Sequence, residues 1–311
     1  MVVETAPLWA VLVAPALLTA LAGVGTWADR LVEARAAGAA SRPEAVLTGM
    51  VSDAARLLVA QRRATLAPDR LMWRLGVVVV PVAAVLAVVV VPFGRWAVDD
   101  LGVGVVWFNA MEILTWAALW AAGWGPNSFW SLIGGYRMVV QGLAYELPHM
   151  FALIGVATAA GSLQVGTIVA HQRHLWFAVW MPLGFVAYLL SVLGFSFTKP
   201  FDQPAGADLS GGVLVEAAGA DRLVIAAGRW LLLAAGAAMA VPLFLGGGLG
   251  PGLPAWAWST LKSLAVLGVL VAARHRMPTI RLQRWVPVAW LVLIPLTIVQ
   301  VLVAALVVLA R

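Results

Sequence analysis

The chain is 311 residues long, 63% hydrophobic and only 11% charged, with a mean hydropathy of +0.96. That composition lies far outside the soluble globular range and implies a chain that lives in a bilayer. The net charge is +6, and the lack of cysteine excludes disulfides, thiolate metal sites and iron–sulfur ligation by this chain.

Eight apolar runs are long enough to cross about 30 Å of hydrocarbon as helices, which takes about 20 residues each. They lie near 7–27, 75–93, 101–123, 142–161, 175–195, 223–245, 255–273 and 285–310. All eight are expected to be helical, because unpaired backbone groups are too costly in lipid. The implied fold is an all-α integral membrane protein, one membrane domain over 1–311, with a further amphipathic helix on the cytoplasmic side. The first run has neither a basic start nor a small-residue cleavage site, so it is expected to be retained as a span.

Between the first two runs, over 44–63, the apolar residues Leu47, Met50, Val51, Ala54 and Leu58 recur at helical spacing, with Ser52, Asp53, Arg56 and Arg63 on the remaining arc. The pattern predicts a helix lying in the inner interface. It serves either to anchor the loop or to form the wall of a cavity opening sideways into lipid.

Basic residues then set the orientation. Arg30, Arg35, Arg42, Arg56, Arg62, Arg63, Arg70 and Arg74 precede span two; Arg137 follows span three, Lys199 span five, and Arg274, Arg276, Arg281 and Arg284 span seven. The other loops hold little positive charge, so the positive-inside rule places both termini outside and the odd-numbered loops in the cytoplasm. The net charge is thus a topology signal and requires no nucleic-acid partner.

Three charges fall inside spans: Glu112 and Glu146 in spans three and four, and Lys262 in the outer half of span seven. Each costs about 2.5 to 3.5 kcal/mol at a helix centre. Asn109, one turn from Glu112, is predicted to share a hydrogen bond with it, and Pro148 to weaken the helix ladder beside Glu146. Lys262 fits a functional charge or a snorkelling side chain equally. With Arg137 as a positive partner, these residues outline a proton or ion path.

Between spans five and six, residues 196–222 form an acidic, glycine-rich cytoplasmic loop that includes TKPFDQPAGADLSGGVLVEAAGADR. It offers no apolar face to lipid, yet Asp202, Asp208, Glu216 and Asp221 sit near the membrane edge beside the single Lys199, which implies a site or a docking surface. The four histidines, His149, His171, His174 and His275, are scattered over helix ends and loops, which argues against a metal site. Many of the 16 tryptophans fall at span ends, as an interfacial aromatic belt requires. There is no phosphate-binding glycine motif.

Several segments, in order, resemble the H-subunit family of bacterial respiratory NADH:quinone oxidoreductase, complex I. The loop KPFDQPAGADLSGG followed by EAAG is similar to the family's NRAPFDLPEAESELVAG followed by EYSG, with Pro200, Phe201, Asp202 and Pro204 on the PFD-x-P core. MVSDAARLL resembles PLADGLKLL, and AGWGPNSFWSLIGGYRMVVQGLAYELP resembles AGWASNSKYALLGALRSAAQMISYEVP. The likeness covers almost the whole chain.

The resemblance implies a membrane subunit that walls part of the quinone cavity and carries the proton path coupling quinone reduction to proton translocation. It implies quinone as substrate, iron–sulfur clusters and flavin in partner subunits, and no cofactor in this chain. Arg56, Asp202, Asp208 and Glu216 would line the cavity, with Glu112, Glu146, Lys262 and Arg137 along the proton path. The chain also departs from the pattern. Phe195, Phe197 and Thr198 replace the usual glutamate, asparagine and arginine before the core, Ala205 and Ala207 flank Asp208, and the acidic position of span six falls near Gly228 and Arg229. The related membrane subunits of group 4 nickel–iron hydrogenases or formate hydrogenlyases, and a non-catalytic membrane anchor, are the alternatives.

Overall fold

The computed structural model describes residues 3–38 and 42–310. Helix α1 (Ala10–Ala36) and the separate α2 (Pro43–Val59) lead to α3 (Arg70–Ala87), α4 (Gly104–Trp124) and α5 (Phe129–Ala160). Short α6 (Val165–His171) and α7 (Phe177–Trp180) precede α8 (Pro182–Phe195). The acidic loop follows, then α9 (Ala220–Phe244), α10 (Ala255–Arg276), α11 (Leu282–Val288) and α12 (Ile294–Leu309). A π-helical stretch, Ala289–Leu293, joins the last two. The only strands among the described residues are β1 (Glu4–Thr5) and β2 (Trp96–Ala97), a two-residue parallel pair.

Seven helical rods among the described residues are long and apolar enough to cross a membrane: α1, α3, α4, α5, α9, α10 and the α11–α12 rod. The run at 175–195 is helical too, but broken. Met181 leaves helical geometry (φ −121°, ψ 51°), and Pro182, which lacks an N–H, opens α8 as its first residue. Gln172 meets polar groups at the neighbouring helix ends, the start of α7 and the end of α9. Its Oε1 accepts from the N–H of Phe177 and Gly246, and its Nε2 donates to the carbonyls of Pro242 and Leu243. Irregular backbone at membrane depth is tolerated only where it is paired inside the protein in this way.

α9 is the axis of the bundle. Every residue from Leu232 to Phe244 is buried, as expected of a helix apolar all round, and α1, α3, α8 and α10 pack against it. A second row, α3, α4 and α5, runs alongside, with α8 and α12 on the far face of α5. Small residues bring these helices together: at Gly123 of α4, a Cβ would lie 2.6 Å from the carbonyl of Ser131 on α5.

Three expectations need correction. α5 begins at Phe129 rather than near residue 142, so Arg137 stands on a helix and not in a loop. α2 ends at Val59, four residues before the predicted limit, and Arg62 beyond it reaches Asp221 at 3.8 Å. The acidic loop also has an apolar face after all: Phe201, Leu209, Val213 and Ala217 are buried against protein.

Candidate functional site

The sequence places Arg56 in the lining of a cavity. The structure does form one, of about 460 Å³, between α1, α2 and α9, walled by Ala22, Met50, Ala54, Leu57, Ala227 and Trp230. Its polar edge is built differently from the expectation. Arg30 of α1 lines it and bonds Asp53 of α2 at 2.8 Å, while Arg56 bonds the other oxygen of Asp53 at 2.9 Å and is 77% exposed. Arg30 and Asp53 are thus the charged residues at the cavity, with Arg56 behind them. The amphipathic pattern located α2 but not its rotation: Met50 and Ala54 face inward, whereas Leu47, Val51 and Leu58 are exposed.

The acidic loop is sewn to the bundle. Arg137 donates to Asp208 at 2.8 Å and to the carbonyl of Gln203 at 3.3 Å, and Gln141 donates to the carbonyls of Gly194 and Phe201, both at 2.9 Å. From the other side, the N–H of Ile280 bonds Pro200, the N–H of Leu282 bonds Gln203, and Trp285 lies 4.3 Å from Phe201 between ring centroids. Asp202 and Asp208 share a depression of about 770 Å³ with Arg137, Lys199, Arg281 and Arg284. Four cations against two carboxylates make it a mixed-charge surface rather than an acidic rim. Glu216 is elsewhere, accepting from Ser128 at 2.7 Å.

Glu112 and Glu146 come together between α4 and α5, but not as predicted. Asn109 donates to Glu146 at 2.9 Å, and Glu112, 1% exposed, has no hydrogen-bond partner among the described residues. Its neighbour is His149, fully buried, with Nε2 3.9 Å from a Glu112 oxygen. Glu146 and Tyr145 also lie beside Glu112. His149 was missed because its sequence position beside Pro148 gave it no partner. The signal available was the i, i+3 spacing from Glu146, which puts both on neighbouring faces of one helix. α5 itself runs unbroken through Pro148.

Lys262 is not joined to this group. All three of its donors go to carbonyls of the glycine-rich turn after α9, at Leu245 (2.7 Å), Gly247 (3.0 Å) and Leu249 (2.7 Å), and its ammonium lies 4.3 Å from the centre of the Trp176 ring. Each of those carbonyls would otherwise be unmet at a chain reversal, so the geometry is that of a staple.

A further charged group was legible only in part. Arg229 lies over the Phe197 ring at 4.4 Å and Arg274 over Trp230 at 4.7 Å, while Asp29 holds Arg274 at 3.4 Å and His275 at 2.9 Å. Phe197 and Arg229 are two of the departures noted above, and here they pack on each other. Outside the spans, Asp100 accepts from the N–H of Gly166 and from Gln164, both at 3.0 Å, and burial pushes its carboxyl up from its ordinary value.

Known proteins similar to this chain point the same way. A family model described as NADH dehydrogenase matches residues 8–305. The NADH-quinone oxidoreductase H subunit 2 of Rhodopseudomonas palustris CGA009 is 33% identical over 302 residues, covering 95% of this chain and 94% of that protein. H subunit 1 of the same enzyme from the same species, strain BisA53, is 34% identical with the same coverage. The NADH-quinone oxidoreductase H subunit of Geobacillus kaustophilus is 32% identical over 263 residues, covering 83% of this chain and 79% of that protein. Matched along nearly its whole length, the chain belongs to the NADH dehydrogenase family, alongside these H-subunit relatives.

Proposed function

We propose that this chain is the membrane subunit of a complex-I-like NADH:quinone oxidoreductase, walling part of the quinone cavity and carrying protons taken up or released as quinone is reduced. The observation that carries this reading is the cavity between α1, α2 and α9, in a chain whose H-subunit relatives match it over most of its length. A passage with apolar walls and one Arg30–Asp53 pair suits an amphipathic ligand, with a polar head and an apolar tail. The electrons come from partner subunits.

The acidic loop supplies the docking surface for those partners, with Asp202, Asp208, Arg281 and Arg284 presenting both signs of charge. Glu146 and Glu112 carry protons. Arg137 is a positioning residue, holding the loop through Asp208, and Lys262 serves the turn rather than the path. Contacts among α2, the acidic loop and the α10–α11 connection gather the arginine-rich segments at one end of the bundle. That end is assigned to the cytoplasm, with both termini outside.

The test is mild-detergent affinity purification of the tagged chain from its native membrane, with mass spectrometry of what co-purifies. Recovery of quinone-reductase and antiporter-like subunits, with NADH oxidation that depends on added quinone, is the expected result. Recovery of a nickel–iron large subunit would move the chain to a hydrogenase complex, and a chain purifying alone would leave it an anchor.

A further inference from the structure

We propose that His149 of α5 and Glu112 of α4 form a proton-exchanging pair inside the bundle, beside Glu146; this rests on the proton-carrying role given above. The two side chains are 0% and 1% exposed, and Nε2 of His149 stands 3.9 Å from a Glu112 oxygen. That is beyond a direct hydrogen bond, and within the reach of a small side-chain rotation or one bridging water.

What holds the imidazole is packing rather than hydrogen bonding. It lies flat on Tyr188, with centroids 5.3 Å apart and planes at 27°, and meets Phe195 edge-on at 6.2 Å. Neither ring nitrogen and neither Glu112 oxygen has a hydrogen-bond partner among the described residues. The same is true of Tyr145 Oη, Glu146 Oε2, Asn109 Oδ1 and Thr115 Oγ1. Buried polar groups serving only architecture are normally consumed in hydrogen bonds, as at Gln172 and Lys262. Here a set of donors and acceptors sits together, fixed in place and uncommitted.

Imidazole can accept a proton at one nitrogen and release one from the other. The step is a plain transfer: the O–H bond of the Glu112 carboxyl breaks, an N–H bond forms on His149, and a neutral pair becomes carboxylate and imidazolium. Release of a proton to the Glu146 side returns His149 to neutrality. No redox change is involved.

The experiment uses the intact complex in native membranes, with NADH as donor and a short-chain quinone as acceptor. Glu112→Gln and His149→Gln are each expected to lower quinone-dependent turnover and proton uptake about a hundredfold, a size ordinary for loss of a proton-transfer group. Oxidation of NADH by ferricyanide should be unchanged. The double variant should fall no further than either single one, since members of one relay are not additive. Independent, multiplying losses, or a His149→Gln complex that pumps normally, would overturn the pairing. If His149→Gln does not assemble, the smaller His149→Asn takes its place, and failure of both to assemble would make His149 structural and overturn it as well. Lack of quinone-dependent activity in the unaltered complex would instead count against the proposed function.

Discussion

Asn109 on α4 donates its hydrogen bond to Glu146 on α5, across the helix interface, and not to Glu112 one turn away on its own helix. The two intramembrane carboxyl groups are therefore unlike: Glu146 is tied, and Glu112 faces His149 without a tie. Glu146→Gln keeps an acceptor for Asn109, so the complex should assemble, while loss of a proton carrier should lower quinone-dependent turnover about a hundredfold. Glu146→Leu should lose assembly as well. Unchanged turnover in a Glu146→Gln complex would remove it from the path.

Asp53 holds two arginines at once, Arg30 and Arg56, at the edge of the cavity between α1, α2 and α9. Asp53→Asn should free both and raise the KM for a short-chain quinone several-fold, about 1 kcal/mol of binding, with kcat little altered. Arg56→Ala should have an effect within about twofold, because a pair this exposed is worth little. Steady-state kinetics with varied quinone separates the two, and an equal effect of both variants would refute the division of roles.

For Lys262 a stability phenotype is expected. Lys262→Met leaves three carbonyls of the 245–249 turn unmet and should destabilise the protein by on the order of 3 kcal/mol. The measurement is the temperature at which the detergent-solubilised complex falls apart. Protons moved per NADH in the surviving complex should not change, and normal stability with lost pumping would return Lys262 to the path.

Asp100 provides a pH signature. Burial lifts its carboxyl above the ordinary 3.8, against the pull of its hydrogen bonds from Gly166 and Gln164. The neutral form is then the better held in the folded state, so its contribution is full below 3.8 and is lost as pH rises through the folded value. Asp100→Asn is always neutral and retains an acceptor for Gly166. It should match the unaltered protein near about pH 4 and be the more heat-stable near about pH 7. Melting curves at both values decide this, and a variant less stable at the higher value would contradict it.

Hydropathy located the helical runs because lipid leaves a chain no other way to satisfy its backbone, and that demand is written into every span. It placed the start of α5 too late because Ser131, Gly134, Gly135, Arg137 and Gln141 lower the mean hydropathy of a stretch that is buried by protein instead of lipid. The PFD-x-P loop was visible as a motif, yet its burial was not, since Phe201 and Val213 find their partners on α11 and α5. The site residues divide in the same way. Glu112 and Glu146 stood out by charge, whereas His149 and Arg30 depend on which helix lies opposite, and helical spacing carries the phase of one helix but not of its neighbour.

The π-helical stretch at Ala289–Leu293 has its own meaning for the last rod. A wide turn of this kind accommodates one residue more than an α-helical ladder would. Were the same residues to close as an unbroken α-helical ladder, the surplus residue would be taken up as rotation, and everything beyond it would turn by about 100°. Thr297, Gln300 and Ala304, the buried residues of α12, would swing off the bundle, and Gln300 would leave the carbonyl of Trp180 that it bonds at 3.4 Å. The final helix is thus keyed to the rest of the molecule by this wide turn, which absorbs a surplus residue and so keeps the buried face of α12 toward the bundle.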